Sequence, residues 1–131
     1  MEVEGDVKVT KALLDEWTME KCSGVNTPGM KEEELEEVED PLLSEGEKAK
    51  YRRAAARCNY IGMDRPDLAY AAKEISRRVS EPRMSDIMKL KRLIRYLQSY
   101  RRLVQKFRCQ ADREALTVMV DSDWTGCRRT R

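Results

Sequence analysis

Between Ser44 and Ser99 the apolar side chains recur every three or four positions in three runs, a periodicity that constrains the fold more than any other feature of the chain. Such spacing gives each helix one apolar stripe, so the segment must bury three stripes against one another. Ser44-Glu45-Gly46-Glu47 has the Ser-x-x-Glu pattern in which a hydroxyl and a carboxylate satisfy amides that a helix start leaves unpaired. Tyr51, Ala54, Ala55, Cys58 and Ile61 follow at helical spacing, with Gly62 as the expected stop. The second run begins at Pro66, which has no N–H to leave unpaired in a first turn, and carries Leu68, Ala72, Ile75 and Val79 as far as Glu81-Pro82. The third, Ser85 to about Ser99, turns Ile87, Leu90, Ile94 and Leu97 inward. It sets Lys91, Arg95 and, if the helix reaches it, Arg102 on an outward line.

The flanking segments read differently. From Val7 to Met19, Val9, Leu13 and Trp17 stand at i, i+4 and i+8, which predicts a short amphipathic helix before the turn-forming stretch Cys22 to Gly29. Lys31 to Pro41 is an acidic run whose like charges repel, read either as a solvated linker or as an acidic docking segment. After Arg102 the period shortens. Leu103–Arg108 and Ala115–Val120 read as the two strands of a hairpin turned at Gln110–Glu114. The second strand is almost wholly apolar, which implies burial on both faces, yet the chain offers few strands to cover it. Left uncovered, such an edge invites aggregation.

Charge is segregated along the 131 residues. Residues 1–47 hold 4 basic and 15 acidic side chains, residues 48–131 hold 22 and 9, and the total nearly cancels to +2. Any polyanion-binding surface therefore belongs to the second part. The sequence contains no histidine, which excludes imidazole as a base, a shuttle or a zinc ligand. Cys22, Cys58, Cys109 and Cys127 are too scattered for a C-x-x-C pair and read as reduced thiols. With neither a long apolar run nor a signal-like start, the chain is expected to be soluble and intracellular, with no membrane partner.

Two places offer chemistry. Asp121-Ser122-Asp123 follows the apolar strand, and a carboxylate at the end of a rigid strand is a good ligand for Mg²⁺. The same three residues also suit a plain strand-ending turn. Two-metal hydrolysis of nucleic acid needs further acidic ligands around ions about 4 Å apart. The second place is basic: Lys89, Lys91, Arg92, Arg95, Arg101 and Arg102 could meet phosphates without reading sequence, with Tyr96 and Tyr100 as stacking surface. A merely solvated basic face fits those residues as well.

Four separated strings then combine. Val9-Thr10-Lys11-Ala12-Leu13-Leu14 through Val25-Asn26-Thr27-Pro28 is similar to the end of the reverse transcriptase region in copia-type LTR retrotransposon polyproteins. Tyr51-Arg52-Arg53, Tyr60 and Arg65-Pro66-Asp67-Leu68-Ala69-Tyr70-Ala71 resemble that family's "YR…Y…RPDIAYA" segment. Leu90-Lys91-Arg92-Leu93-Ile94-Arg95-Tyr96-Leu97 resembles its "KRILRYL" helix, and Asp121-Ser122-Asp123-Trp124-Thr125-Gly126 its "DADWAG" box. There are departures: Asp86-Ile87 stand where many relatives have His-Trp, Asp64 where Thr is usual, and no Tyr-x-Asp-Asp polymerase string occurs.

The resemblance implies a mainly helical α+β piece of a Pol polyprotein. Residues 1–30 correspond to the end of the polymerase thumb, 31–44 to an acidic linker, 45–101 to a helical connection and 102–131 to the hairpin that opens an incomplete RNase H-like domain. It further implies that Asp121 is the first metal-ligand carboxylate of the nuclease and Asp123 a weaker candidate ligand. Mg²⁺ would belong to the complete parent enzyme and bind this piece poorly. Implied partners are an RNA–DNA hybrid or other nucleic acid and the rest of the polyprotein, with no small-molecule substrate. Missing machinery is expected on both sides, so the chain alone is expected to be inactive. The alternative is a non-catalytic nucleic-acid-binding or protein-interaction module built on the basic helix 85–102.

Overall fold

The computed structural model describes residues 1–17, 22–30, 40–109 and 118–120. In chain order it contains β1 (Glu2–Glu4), α1 (Val7–Glu16), α2 (Glu45–Asp64), α3 (Pro66–Ser76), α4 (Met84–Ser99) and β2 (Val104–Lys106). The class is mainly helical α+β, as the periodicity predicts.

Three of the four described helices start where a side chain satisfies free amides, and the other starts at a proline. Asp6 accepts from the Lys8 amide at 2.8 Å to open α1, whose regular turns end at Glu16. Ser44 and Glu47 form the expected reciprocal cap of α2, with the Ser44 amide donating to Glu47 at 3.0 Å. Pro66 occupies the first turn of α3. At the head of α4 the Arg83 amide donates to Asp86 Oδ2 at 2.9 Å, and the Ser85 amide donates to Asp40 Oδ1 at 2.9 Å. An acidic side chain from outside the helix thus supplies a cap that Arg83 cannot.

Two helix ends differ from expectation. Gly62 does not stop α2, which continues to Asp64. A Cβ at this glycine would stand 3.4 Å from the Ala72 Cβ and 3.8 Å from the Ala69 Cα, so its lack of a side chain lets α2 and α3 approach closely. The break comes at Arg65, extended as a residue before proline prefers to be. Val79 lies beyond the end of α3 and is exposed; there Arg52 takes over the carbonyls, donating to Val79 O at 3.0 Å and Ser80 O at 2.6 Å.

One core unites α1 to α4. Leu13 and Leu14 pack with Tyr51, Ala54, Cys58 and Ile61 of α2, Leu68, Ala72 and Ile75 of α3, and Leu90, Leu93, Ile94 and Leu97 of α4. Val9 and Trp17 lean on this cluster half-buried. Burying side chains of this size stabilises by about 2 kcal/mol each before the ordering cost is set against it. Burial also pushes the Cys58 thiol up to about 12, which makes it an inert core group.

The strand partner is a correction. β2 forms from the first expected strand, but it pairs antiparallel with β1, in the register Glu2↔Lys106, Val3↔Gln105 and Glu4↔Val104. Cross-strand charge supports this choice: Lys106 meets Glu2 at 3.1 Å, and Arg102 grips Glu4 with bonds of 2.6 and 3.0 Å. Of the second expected strand, 115–117 lie outside the described residues. Val118, Met119 and Val120 are 68%, 93% and 85% exposed and adopt no regular structure, so they lack the two-sided burial expected of them. The acidic run 31–39 also lies outside the described residues. No helix among the described residues is long and apolar enough to cross a membrane.

Candidate nucleic-acid interface

The six basic candidates separate once α4 is folded. Lys91, Arg92 and Arg95 come together on the outer face of α4, where residues 22–30 pass alongside. They line a cavity of about 470 Å³ with Cys22, Ser23, Met30 and Met88. Arg95 Nε donates to the Ser23 carbonyl at 2.9 Å, and Arg92 donates to Thr27 Oγ1 at 2.9 Å, so these guanidinium groups hold the loop to the helix. Lys91 is exposed, and its amine makes no ion pair or hydrogen bond among the described residues.

The other three lie apart from this cavity. Lys89 is half-buried and faces the Asp86 carboxylate electrostatically. Arg101 donates to the Gln98 side chain at 3.1 Å, and Arg102 is engaged by Glu4. Arg102 lies beyond the end of α4 and leaves the outward line. Of the two tyrosines, Tyr96 is only 8% exposed and tilts against Tyr100 with ring centroids 4.8 Å apart, so it is packing rather than a stacking platform. Tyr100 is partly exposed.

A buried ion-pair cluster, not singled out in the sequence, fixes this helix in place. Arg65 is 2% exposed and grips Asp67 with bonds of 2.9 and 2.6 Å, while donating to the carbonyls of Tyr100 at 3.0 Å and Arg101 at 3.4 Å. The Tyr96 hydroxyl completes the cluster by donating to Asp67 at 3.0 Å. Burial works against the Asp67 charge, but hydrogen bonds from Arg65 and Tyr96 and the Arg65 charge hold its carboxyl below the usual range. The start of α3 is thereby tied to the end of α4. The signal available in the sequence was Arg65-Pro66-Asp67, where the proline favours an extended Arg65 just ahead of a helix whose first turn carries Asp67.

Asp121 and Asp123, the candidate metal ligands, lie outside the described residues. Among the described residues no group of three or more acidic or sulfur side chains is placed to hold a metal ion.

Over 87 residues the chain is 32% identical to the uncharacterized mitochondrial protein AtMg00810 of Arabidopsis thaliana, a match covering 62% of this chain and 33% of that protein. The chain thus spans about a third of the length of that relative. No family model and no solved structure matches it.

Proposed function

We propose that the chain is a retrotransposon-derived piece of a Pol polyprotein whose helical connection contacts nucleic acid through the outer face of α4. Four motif strings in family order support the origin, together with the partial match to the Arabidopsis protein. In this reading residues 1–30 are the thumb end, 45–101 the connection and 102–131 the start of the nuclease domain. The observation that carries the surface assignment is the Lys91–Arg95 cavity. The Lys91 ammonium, which makes no ion pair or hydrogen bond among the described residues, lines it beside the loop-tethering Arg92 and Arg95, with two methionines in the same lining. Cations so placed suit phosphate oxygens, contacts that carry no sequence information, so sequence-independent binding is expected.

Fluorescence anisotropy with a labelled RNA–DNA hybrid tests this. Affinity is expected to fall steeply with added salt and to fall further in Lys91→Glu. Indifference to both sinks the nucleic-acid assignment and leaves the protein-interaction alternative. Asp121 is proposed as the first nuclease carboxylate and Asp123 as a weaker ligand, with Mg²⁺ as the ion of the complete enzyme. A single pair of carboxylates cannot position two ions, the attacking water and the leaving group together. No hybrid cleavage is therefore expected from this chain in Mg²⁺; turnover abolished by Asp121→Asn would overturn that expectation.

A further inference from the structure

The groove between α1 and α2 carries no role in the assignment above. About 490 Å³ in volume, it is lined by Lys8, Val9 and Ala12 from α1 and by Ala56, Arg57 and Tyr60 from α2. Its floor is aliphatic and one wall is a tyrosine ring, 52% exposed. The Tyr60 hydroxyl and the Lys8 amine make no hydrogen bond or ion pair among the described residues.

Both helices supply positive charge to the rim. Arg57 and Arg53 share a single carboxylate, Glu16, with Arg53 at 3.5 Å, so two guanidinium groups face one anion. Lys8 adds to the lining a cation that is unpaired among the described residues. An excess of cations around an aliphatic floor and one open ring selects an anion with a flat apolar body. We infer that this groove binds an unpaired single strand of nucleic acid, with one base stacked on Tyr60 and the flanking phosphates held by Lys8 and Arg57.

Two details favour a single strand over a duplex. Stacking on the Tyr60 face needs a base whose own face is free, and in a duplex neighbouring pairs cover it. Apart from the phenol and the two cations, the lining presents no side-chain hydrogen-bonding group, so base edges go unread and any base is accepted. The inference rests on the nucleic-acid reading of this chain but on residues separate from the α4 cavity.

The two sites can fail independently. In anisotropy titrations of the full chain at low salt, Tyr60→Ala is expected to weaken binding of a short labelled oligothymidylate by about 5- to 100-fold, the range that loss of one stacked base covers. Hybrid affinity should be unchanged. Tyr60→Phe should retain single-strand binding, Lys8→Glu should weaken it, and far-UV circular dichroism should show each variant as helical as the parent. Single-strand binding indifferent to Tyr60→Ala overturns the inference, as does a loss in Tyr60→Phe equal to that in Tyr60→Ala. Tyr60-dependent capture of an acidic, apolar peptide by a chain that ignores the oligonucleotide overturns it too. If Lys91→Glu abolishes hybrid binding while Tyr60→Ala changes nothing, the α4 site stands and this one falls; the reverse result removes α4 and keeps Tyr60.

Discussion

Asp67 and Asp86 occupy nearly equivalent places, each in the first turn of a helix and each folded into the protein, yet their surroundings treat the charge in opposite ways. Asp67 opens α3 against Arg65 and the Tyr96 hydroxyl, and both of its oxygens are engaged. Asp86 opens α4 at 1% exposure; its Oδ2 accepts from the Arg83 amide, while its Oδ1 has no hydrogen-bond partner among the described residues. Burial raises the Asp86 carboxyl above the ordinary range, and the Arg83 amide and the charges of Arg78 and Lys89 only partly oppose it, with Asp40 adding repulsion. A helix start favours a carboxylate in both cases. What separates the two is the number of donors that the next layer of structure delivers.

Breaking the better-served site should have the largest effect. Arg65→Met leaves Asp67 half-sheltered without its counter-charge and frees the carbonyls of Tyr100 and Arg101. A loss of about 3 kcal/mol is expected in urea unfolding, at the lower end for a broken buried pair because Asp67 keeps some solvent contact. Arg65→Lys should recover only part of it, since an ammonium cannot span the carboxylate and two carbonyls at once. The pH dependence has a definite sign. A carboxyl lowered by folding stabilises above its unfolded value, and that stability disappears as pH falls through the folded one. The parent should therefore lose stability on acidification at a site where Asp67→Asn does not titrate.

The second prediction runs the other way. Asp86→Asn keeps an oxygen for the Arg83 amide and removes a poorly satisfied buried charge, so it should stabilise by about 1 kcal/mol at neutral pH. A carboxyl raised by folding favours the fold most below its unfolded value and loses that contribution as pH rises through the folded one. The advantage of the asparagine should accordingly shrink on acidification. A variant less stable than the parent at neutral pH would show that Arg78 and Lys89 compensate the charge fully.

These sites also show where the sequence was legible and where it was not. The stripes of α2 and α4 and the Ser44 cap were readable because each depends on residues within one or two turns, and Tyr51, Cys58, Ile61, Leu90 and Leu97 are buried as their spacing predicts. The β1–β2 pairing was not, because a strand of three residues chooses its partner across about a hundred positions, and Glu2 and Glu4 carried no local strand signal. Arg65 and Asp86 look like surface charges in any window; only the packing of α3 against α4 and of Asp40 against the α4 start buries them. The basic cavity was half legible. Periodicity put Lys91 and Arg95 on one line, while the Thr27 hydroxyl and the Ser23 carbonyl that engage Arg92 and Arg95 come from a loop whose course no spacing encodes.

A third test trims the Asp67 cluster rather than breaking it. Tyr96→Phe removes one hydrogen bond to the carboxylate and leaves the ring packed, so about 1 kcal/mol should be lost. The Asp67 carboxyl should titrate higher by NMR, since one of the bonds that holds it down is gone. An unchanged titration would assign the lowering to Arg65 alone.

The smallest effect is expected where the same chemistry stands in water. Arg102 meets Glu4 with a two-pronged geometry comparable to Arg65 on Asp67, and the hydrogen bond from Arg102 lowers the Glu4 carboxyl, yet both side chains are open to solvent. Salt and water screen such a pair, and holding two long side chains in register costs conformational freedom. Arg102→Ala should leave the urea midpoint within experimental scatter, and added salt should not change that result. A shift approaching that of Arg65→Met would mean that the β1–β2 ribbon depends on the pair, and that geometry outweighs burial in this protein.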